Sequence, residues 1–156
     1  ELGIYNLVFV AELIEIKNEE FNMAIEKLLR NFGLSLLVDM KNYKKVSEYV
    51  NNNFLNLKLV FYNIDINKQY GYGFCDDDKL LINNLEIKNS VFKDYILSRL
   101  AKEFDYILCD FQELENVNKG VTKEGLIKSN IKHLKDDRNK KMDYIFLNKD
   151  KLKSLK

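Results

Sequence analysis

The stretch that most constrains the fold is residues 102–110 (KEFDYILCD), where a helix-period segment leads into a short apolar strand that ends on an acid. Apolar strands of this kind are typical of parallel α/β sheets, which are buried on both faces. An acid at the carboxyl end of such a strand faces the crevice where these folds bind ligands. The stretch therefore predicts a buried central strand and places Asp110 at a ligand-binding edge of the sheet.

Strand-like and helix-like segments alternate along the rest of the chain. Strands are predicted at residues 4–10, 34–39, 57–66, 105–110 and 143–148, and helices at 18–33, 41–53, 89–102 and 122–137. The segment 11–18 fits either an extension of the first strand or the start of a helix. This alternation predicts one α/β domain over residues 1–156, with a three-layer, mostly parallel (Rossmann-like or P-loop-like) sheet and helices on both faces.

The charge balance excludes a strong overall field, since 25 Lys and Arg face 24 Asp and Glu. The two cysteines are far apart and lack metal-type spacing. Cysteines of this kind fit a reducing cytoplasm best, and no apolar run is long enough to cross a bilayer, so we expect a cytoplasmic protein without a membrane span. The lysine-rich end, residues 140–156, is a candidate contact for nucleic acid, although interspersed acids favour a solvated face.

Four polar residues lie at the carboxyl end of a predicted strand or just after one, with Lys17 in that position if the first strand extends through residue 16. They are Lys17, Asp39, Asp110 and Asn148. The carboxyl ends of parallel strands meet at one edge of a sheet, so we expect these side chains to gather there. A lysine with two carboxylates suits phosphate and a divalent metal, and an asparagine amide suits a base edge. Strand ends are polar in many α/β domains, so a purely structural role stays open.

Several segments resemble the ParA/MinD family of deviant Walker ATPases. Residues 32–39 (FGLSLLVD) are similar to the family's "KGYKVLLID", and residues 104–110 (FDYILCD) to its "YDYIIID". Residues 123–126 (KEGL) and 145–148 (IFLN) are similar to its late "EGL" and "ILLN" segments. The resemblance implies that Lys17 is the phosphate-loop lysine, that Asp110 is the Walker B acid and that Asn148 reads adenine.

The phosphate loop departs from the family's "KGGVGKT", because the matching residues 12–18 read ELIEIKN. All three glycines, whose absent side chains let backbone N–H groups close around phosphate, are missing. Glu12 replaces the signature lysine, and Asn18 replaces the magnesium-binding hydroxyl residue. ATP and magnesium are the cofactors that the family implies, and this loss weakens both, so we expect no tightly bound cofactor.

The resemblance thus implies a positioning or regulatory protein that has lost ATP hydrolysis and acts through a protein partner or as a homodimer. If activity were retained, Lys17, Asp39 and Asp110 would be catalytic. Lys17, Asn18 and Asn148 would contact the nucleotide, and Asp39 with Asp110 would hold the metal.

A metal-dependent nuclease is the alternative. Residues 39–43 (DMKNY) resemble the core of restriction-type nucleases. Under this hypothesis Asp39 holds the metal and Lys41 steadies the attacking water. Such a site also needs an acid from a preceding strand, and only Glu12 or Glu15 is available for that role.

Overall fold

The computed structural model describes residues 7–138 and 144–147. The helices in those ranges are α1 (Asn22–Gly33), α2 (Tyr43–Asn52), α3 (Lys93–Glu103) and the single turn α4 (Phe111–Leu114). The strands are β1 (Val8–Phe9), β2 (Ile14–Ile16), β3 (Leu36–Asp39), β4 (Phe61–Ile64), β5 (Leu85–Ile87), β6 (Ile107–Leu108), β7 (Lys119–Val121), β8 (Ile127–Ser129) and β9 (Lys132–Leu134). Short 3-10 turns lie at Val10–Leu13, Met40–Asn42 and Leu81–Asn84.

The described strands form three small sheets rather than one. The first has the order β1-β3-β4, the second pairs β2 with β5, and the third has the order β6-β7-β8-β9. Only β3–β4 and β6–β7 are parallel among the described pairs. The predicted three-layer, mostly parallel sheet is therefore wrong, because the strands are two to four residues long and are divided among separate, largely antiparallel sheets.

Helix α1 is the central element of the core. Its apolar residues recur at helical spacing, and Ile25, Leu29 and Phe32 are buried. The side chain of Asn18 accepts a hydrogen bond from the N–H of Phe21 at 3.3 Å, just before the helix begins. One hydrophobic core contains these residues together with buried residues of all three sheets. The helix predicted after Asn18 is confirmed.

The helix predicted at residues 122–137 is wrong, because this segment forms the hairpin β8–β9. Gly125 (φ 96°) and Asn130 (φ 59°) both adopt the left-handed conformation, which interrupts a right-handed helix. Asn130 and Ile131 make the two-residue turn, so Ser129 pairs with Lys132. The apolar spacing was compatible with a helix, but the two left-handed positions decide the local structure.

The segment with two interpretations, residues 11–18, completes a 3-10 turn and then forms β2. Ala11, Leu13 and Ile14 are buried, and β2 pairs with β5. Apolar side chains therefore fill the place where a phosphate loop was considered. The strand predicted at 143–148 is wrong within the described residues, since 145–147 form a turn.

Candidate interaction surface

The residues predicted to form one ligand-binding edge follow strands of three different sheets. Asp39 ends β3 in the first sheet, Lys17 follows β2 in the second, and Asp110 follows β6 in the third. Asn148 lies outside the described residues. Within the described part of the chain, no group of three or more His, Cys, Asp or Glu side chains is placed to hold a metal ion. The prediction of a shared site depended on one parallel sheet, whereas the strands that precede these residues belong to three separate sheets.

Residues 12–18 have structural roles in this fold. A carboxylate oxygen of Glu12 accepts a hydrogen bond from the N–H of Phe9 at 2.7 Å. The N–H of Lys17 donates to the carbonyl of Asn84 at 2.9 Å, which extends the contact between the second sheet's strands. The side chain of Asn18 caps the turn before α1. Ile14–Ile16 pair as a strand with β5, and the N–H of Lys17 is bonded within the protein, so this segment is not a wrapped phosphate loop.

The nuclease alternative is also wrong. Asp39 is 4% exposed, and its Oδ1 accepts a hydrogen bond from the N–H of Lys41 at 3.2 Å. Its Oδ2 lies 3.8 Å from the Lys41 amine, without a hydrogen-bond partner. Glu15 is exposed on β2 and pairs with Lys88 at 3.5 Å. The carboxylate of Asp39 thus helps to form a turn, and neither proposed second acid is placed to share a metal with it.

Asp110 borders a cleft of about 460 Å³ that neither Lys17 nor Asp39 lines. Its Oδ1 accepts a hydrogen bond from the N–H of Glu113 at 2.9 Å and caps α4. Glu113 in turn pairs with Lys79 at 2.7 Å, and this hydrogen bond is the main reason that the pKa of Lys79 is raised. Asp110 follows β6, and in the structure its carboxylate caps the helical turn α4.

Strand β4 has an unpaired edge among the described residues. It pairs only with β3, and the N–H of Leu36 donates to the carbonyl of Val60 at 2.9 Å. Backbone groups alternate in direction along a strand, so those of Phe61 and Asn63 face away from β3. Nearby large apolar side chains are exposed: Phe54, Leu57 and Val60. An unpaired strand beside exposed apolar side chains is typical of a surface that binds another chain.

Strand β9, at the end of the third sheet, also has an unpaired edge within the part of the chain that the structure describes. In a two-residue hairpin the N–H of Lys132 bonds the carbonyl of Ser129, so the N–H and carbonyl of His133 point away from β8. Ile131 at the tip is 96% exposed, and Leu134 is also exposed. Sequence reasoning missed this surface because it placed these residues on a helix. The signal available was Asn130, a residue that tolerates the left-handed conformation of a tight turn.

An aromatic cluster fixes α3 against the first sheet on the side of β4. The Arg99 guanidinium lies 4.7 Å from the ring centre of Phe32 and 4.9 Å from that of Tyr62. It donates to the phenol oxygen of Tyr95 at 2.7 Å and forms an ion pair with Glu103. Burial lowers the pKa of Arg99, but the hydrogen bonds to these neighbours outweigh that effect, so its pKa lies above the ordinary value. This cluster keeps Tyr62 in place within β4.

No protein-family model matches the chain, and no curated protein matches it in sequence. Solved structures do match. The Pyrococcus furiosus SMC protein hinge domain superposes with a TM-score of 0.64 at 20% identity, over 90% of this chain and 80% of that one. The chain has the fold of an SMC hinge domain. The resemblance to ParA/MinD ATPases, with the pseudo-ATPase function drawn from it, is therefore wrong.

Two other solved structures have the same hinge fold. The Geobacillus stearothermophilus SMC hinge domain, described as an asymmetric dimer, has a TM-score of 0.67 at 13% identity, over 96% of this chain and 65% of that one. The Pyrococcus furiosus hinge domain with an extended coiled coil has a TM-score of 0.67 at 19% identity. The match extends over 98% of this chain and 57% of that longer chain. At these identities the likeness establishes the hinge fold.

No described helix has the length and apolar character needed to span a membrane.

Proposed function

We propose that this hinge-like chain is an association module that joins two copies of itself through the free edges of β4 and β9. The observation that carries the proposal is that, among the described residues, β4 and β9 each leave one edge unpaired in different sheets and each lies beside exposed apolar side chains. The Geobacillus stearothermophilus hinge domain, which has the same fold, is described as an asymmetric dimer, and this supports self-association of the present chain. Pairing of strands across two chains supplies main-chain hydrogen bonds and covers the apolar side chains.

The contact we propose is reciprocal: β4 of each copy pairs with β9 of the other. A β9–β9 contact would bring two lysine-bearing edges together, since β9 contains Lys132 and is followed by Lys135, and like charges on neighbouring strands are destabilising. The outward residues of β4 are uncharged, since they are Phe61 and Asn63. Ile131 and Leu134 could then pack against Leu57 and Val60 of the other copy, so that apolar side chains of both edges leave water.

Proline substitution at the outward-facing position of each strand tests the contact. His133→Pro removes the outward N–H of β9 but leaves the Ser129–Lys132 turn bond available, and Asn63→Pro does the same for β4. His133→Ala and Asn63→Ala are the matched controls, because they keep the backbone donor. We expect each proline variant to weaken self-association at least about tenfold in sedimentation equilibrium. The alanine controls should associate much as the unchanged chain does.

Mixing the two proline variants separates the reciprocal arrangement from a symmetric pairing of identical edges. In a mixed dimer, one copy contributes an intact β9 and the other an intact β4, so one of the two contacts is complete. Association should therefore recover in part when Asn63→Pro and His133→Pro chains are combined. A chain that sediments as a monomer at all concentrations would overturn the proposal. An association that neither proline affects would also overturn it.

A further inference from the structure

The cleft beside Asp110 has an apolar base and aromatic sides. Leu108 and Cys109 line it and are 4% and 3% exposed, so they lie at its base. Phe21 and Phe111 also line it, and Phe111 is 65% exposed. Its volume of about 460 Å³ is within the range typical of ligand-binding clefts. The inner part of this cleft therefore offers contacts to an apolar group.

The outer part of the same cleft is acidic. Among the described residues, four carboxylates and one amine line it, and they belong to Glu20, Asp110, Glu113, Glu124 and Lys123. Glu113 pairs with Lys79 at 2.7 Å, and Lys123 lies 3.9 Å from Glu20, which is a weaker contact. After these two ion pairs, the carboxylates of Asp110 and Glu124 remain in excess, and both residues are exposed. The cleft therefore attracts a cation.

We propose that this cleft binds a lysine or arginine side chain from a basic segment of another protein. Both side chains carry a charged end on an apolar stem, which matches an apolar base below an acidic opening. The stem packs on Leu108, and the charged end meets Asp110 and Glu124. The ring of Phe111 adds a cation–π attraction. A divalent metal ion matches less well, because no group of three or more His, Cys, Asp or Glu side chains in the described ranges is placed to hold one.

Hydrogen bonds within the chain hold the cleft in shape without a ligand. Oδ1 of Asp110 accepts from the N–H of Glu113 at 2.9 Å, which fixes α4 at one side of the cleft. The N–H of Cys109 donates to the carbonyl of Val121 at 3.1 Å, which joins the base of the cleft to β7. A preformed site loses less conformational entropy when it binds a ligand. No residue of β4 or β9 lines the cleft, so the proposal does not depend on self-association.

Calorimetric titration of the full chain with a capped oligolysine peptide at low salt tests the proposal. Glu124→Gln removes one charge at the opening of the cleft, and Phe111→Ala removes the exposed ring. Each substitution should weaken binding of the peptide at least about threefold. The matched controls are Glu48→Gln on α2 and Phe74→Ala, since both side chains are exposed but do not line the cleft. The control variants should bind the peptide as the unchanged chain does.

Phe111→Tyr keeps an aromatic face at the same place and should bind the peptide within about twofold of the unchanged chain. Thermal unfolding checks that each variant is folded, as we expect because the altered side chains are exposed. The proposal is overturned if the peptide does not bind, or if Phe111→Ala binds it as tightly as the unchanged chain. It is also overturned if Glu48→Gln weakens binding as much as Glu124→Gln, since the peptide would then be attracted to the whole surface.

Discussion

Arg99 donates a hydrogen bond of 2.7 Å to the phenol oxygen of Tyr95, which precedes it by one turn of α3. The same guanidinium contacts the faces of the Phe32 and Tyr62 rings, so a single charged side chain joins two helices and a strand of the first sheet. Charged hydrogen bonds and cation–π contacts are strongest where the cation is shielded from water, as it is here.

Arg99→Met should lower the free energy of unfolding by about 2–4 kcal/mol, because it removes the hydrogen bonds and the cation but keeps an apolar stem. Lys68→Met is the control. Its amine lies 5.4 Å from the Tyr70 ring centre on the surface, and its loss should cost at most about 1 kcal/mol. Urea unfolding followed by circular dichroism measures both values. Equal effects of the two substitutions would contradict a special role for Arg99.

Ionisation of the Tyr95 phenol should make the free energy of unfolding depend on pH in the alkaline range. Burial raises the pKa of its phenol above 10.0, and Arg99 lowers it without cancelling the rise. A raised pKa means that the folded state binds the proton more tightly than the unfolded state does. The contribution of Tyr95 is therefore complete below the unfolded pKa of about 10 and is lost as pH rises through the folded pKa.

Urea midpoints measured from about pH 8 to pH 11 should therefore fall more steeply for the unchanged chain than for Tyr95→Phe. Tyr72→Phe, which alters an exposed tyrosine, serves as the comparison and should keep the slope of the unchanged chain. Parallel curves for the unchanged chain and Tyr95→Phe would show that this phenol does not contribute to the slope.

Gly120→Ala should destabilise the third sheet. A Cβ in this strand would lie 2.8 Å from Cδ1 of Leu114 and 2.8 Å from Cγ2 of Val117. Such crowding typically costs about 1–3 kcal/mol. Gly73→Ala has open space around the new methyl group and should be close to neutral or slightly stabilising. Thermal unfolding of both variants measures the difference, and an equal melting temperature would exclude the crowding.

The two cysteines should differ in reactivity. Cys75 is exposed, whereas Cys109 is buried. Burial, followed by the nearby acids Glu113 and Asp110, raises the pKa of the Cys109 thiol, and the thiolate is the reactive form. Iodoacetamide should therefore label Cys75 first in the folded protein, and Cys109 should be labelled at a comparable rate only in denaturant. Mass spectrometry of the labelled peptides distinguishes the sites, and equal native labelling would contradict the burial of Cys109.

The sequence allowed helices to be predicted better than sheets. In α1, the apolar residues from Ala24 to Phe32 follow one helical face, and Gly33 marks the end, so local chemistry and packing agree. The strands are too short to carry a clear alternation, and their partners are set by long-range contacts. The spacing of Leu126, Ile127, Ile131 and Leu134 satisfied a helical period, although a hairpin was formed.

The candidate surface was harder to predict than the strands themselves. Asp110 was expected to end a buried central strand. It does follow β6, but β6 is the terminal strand of the third sheet, and the sequence did not reveal that α4 would begin there and use the Asp110 carboxylate as a cap. An unpaired strand edge is a property of the complete topology. Neither Asn63 nor His133 therefore carries a local signal that marks it as outward-facing.

The positions of β4 and β9 in different sheets also have a consequence for the size of the assembly. Two unlike edges on one chain close into a dimer only if the second contact forms at the same time as the first. If the angle between the sheets prevents this, each copy binds the next in the same direction, and an open filament grows. Substitutions that tilt the third sheet against α1 could therefore change a finite particle into a polymer without altering either edge.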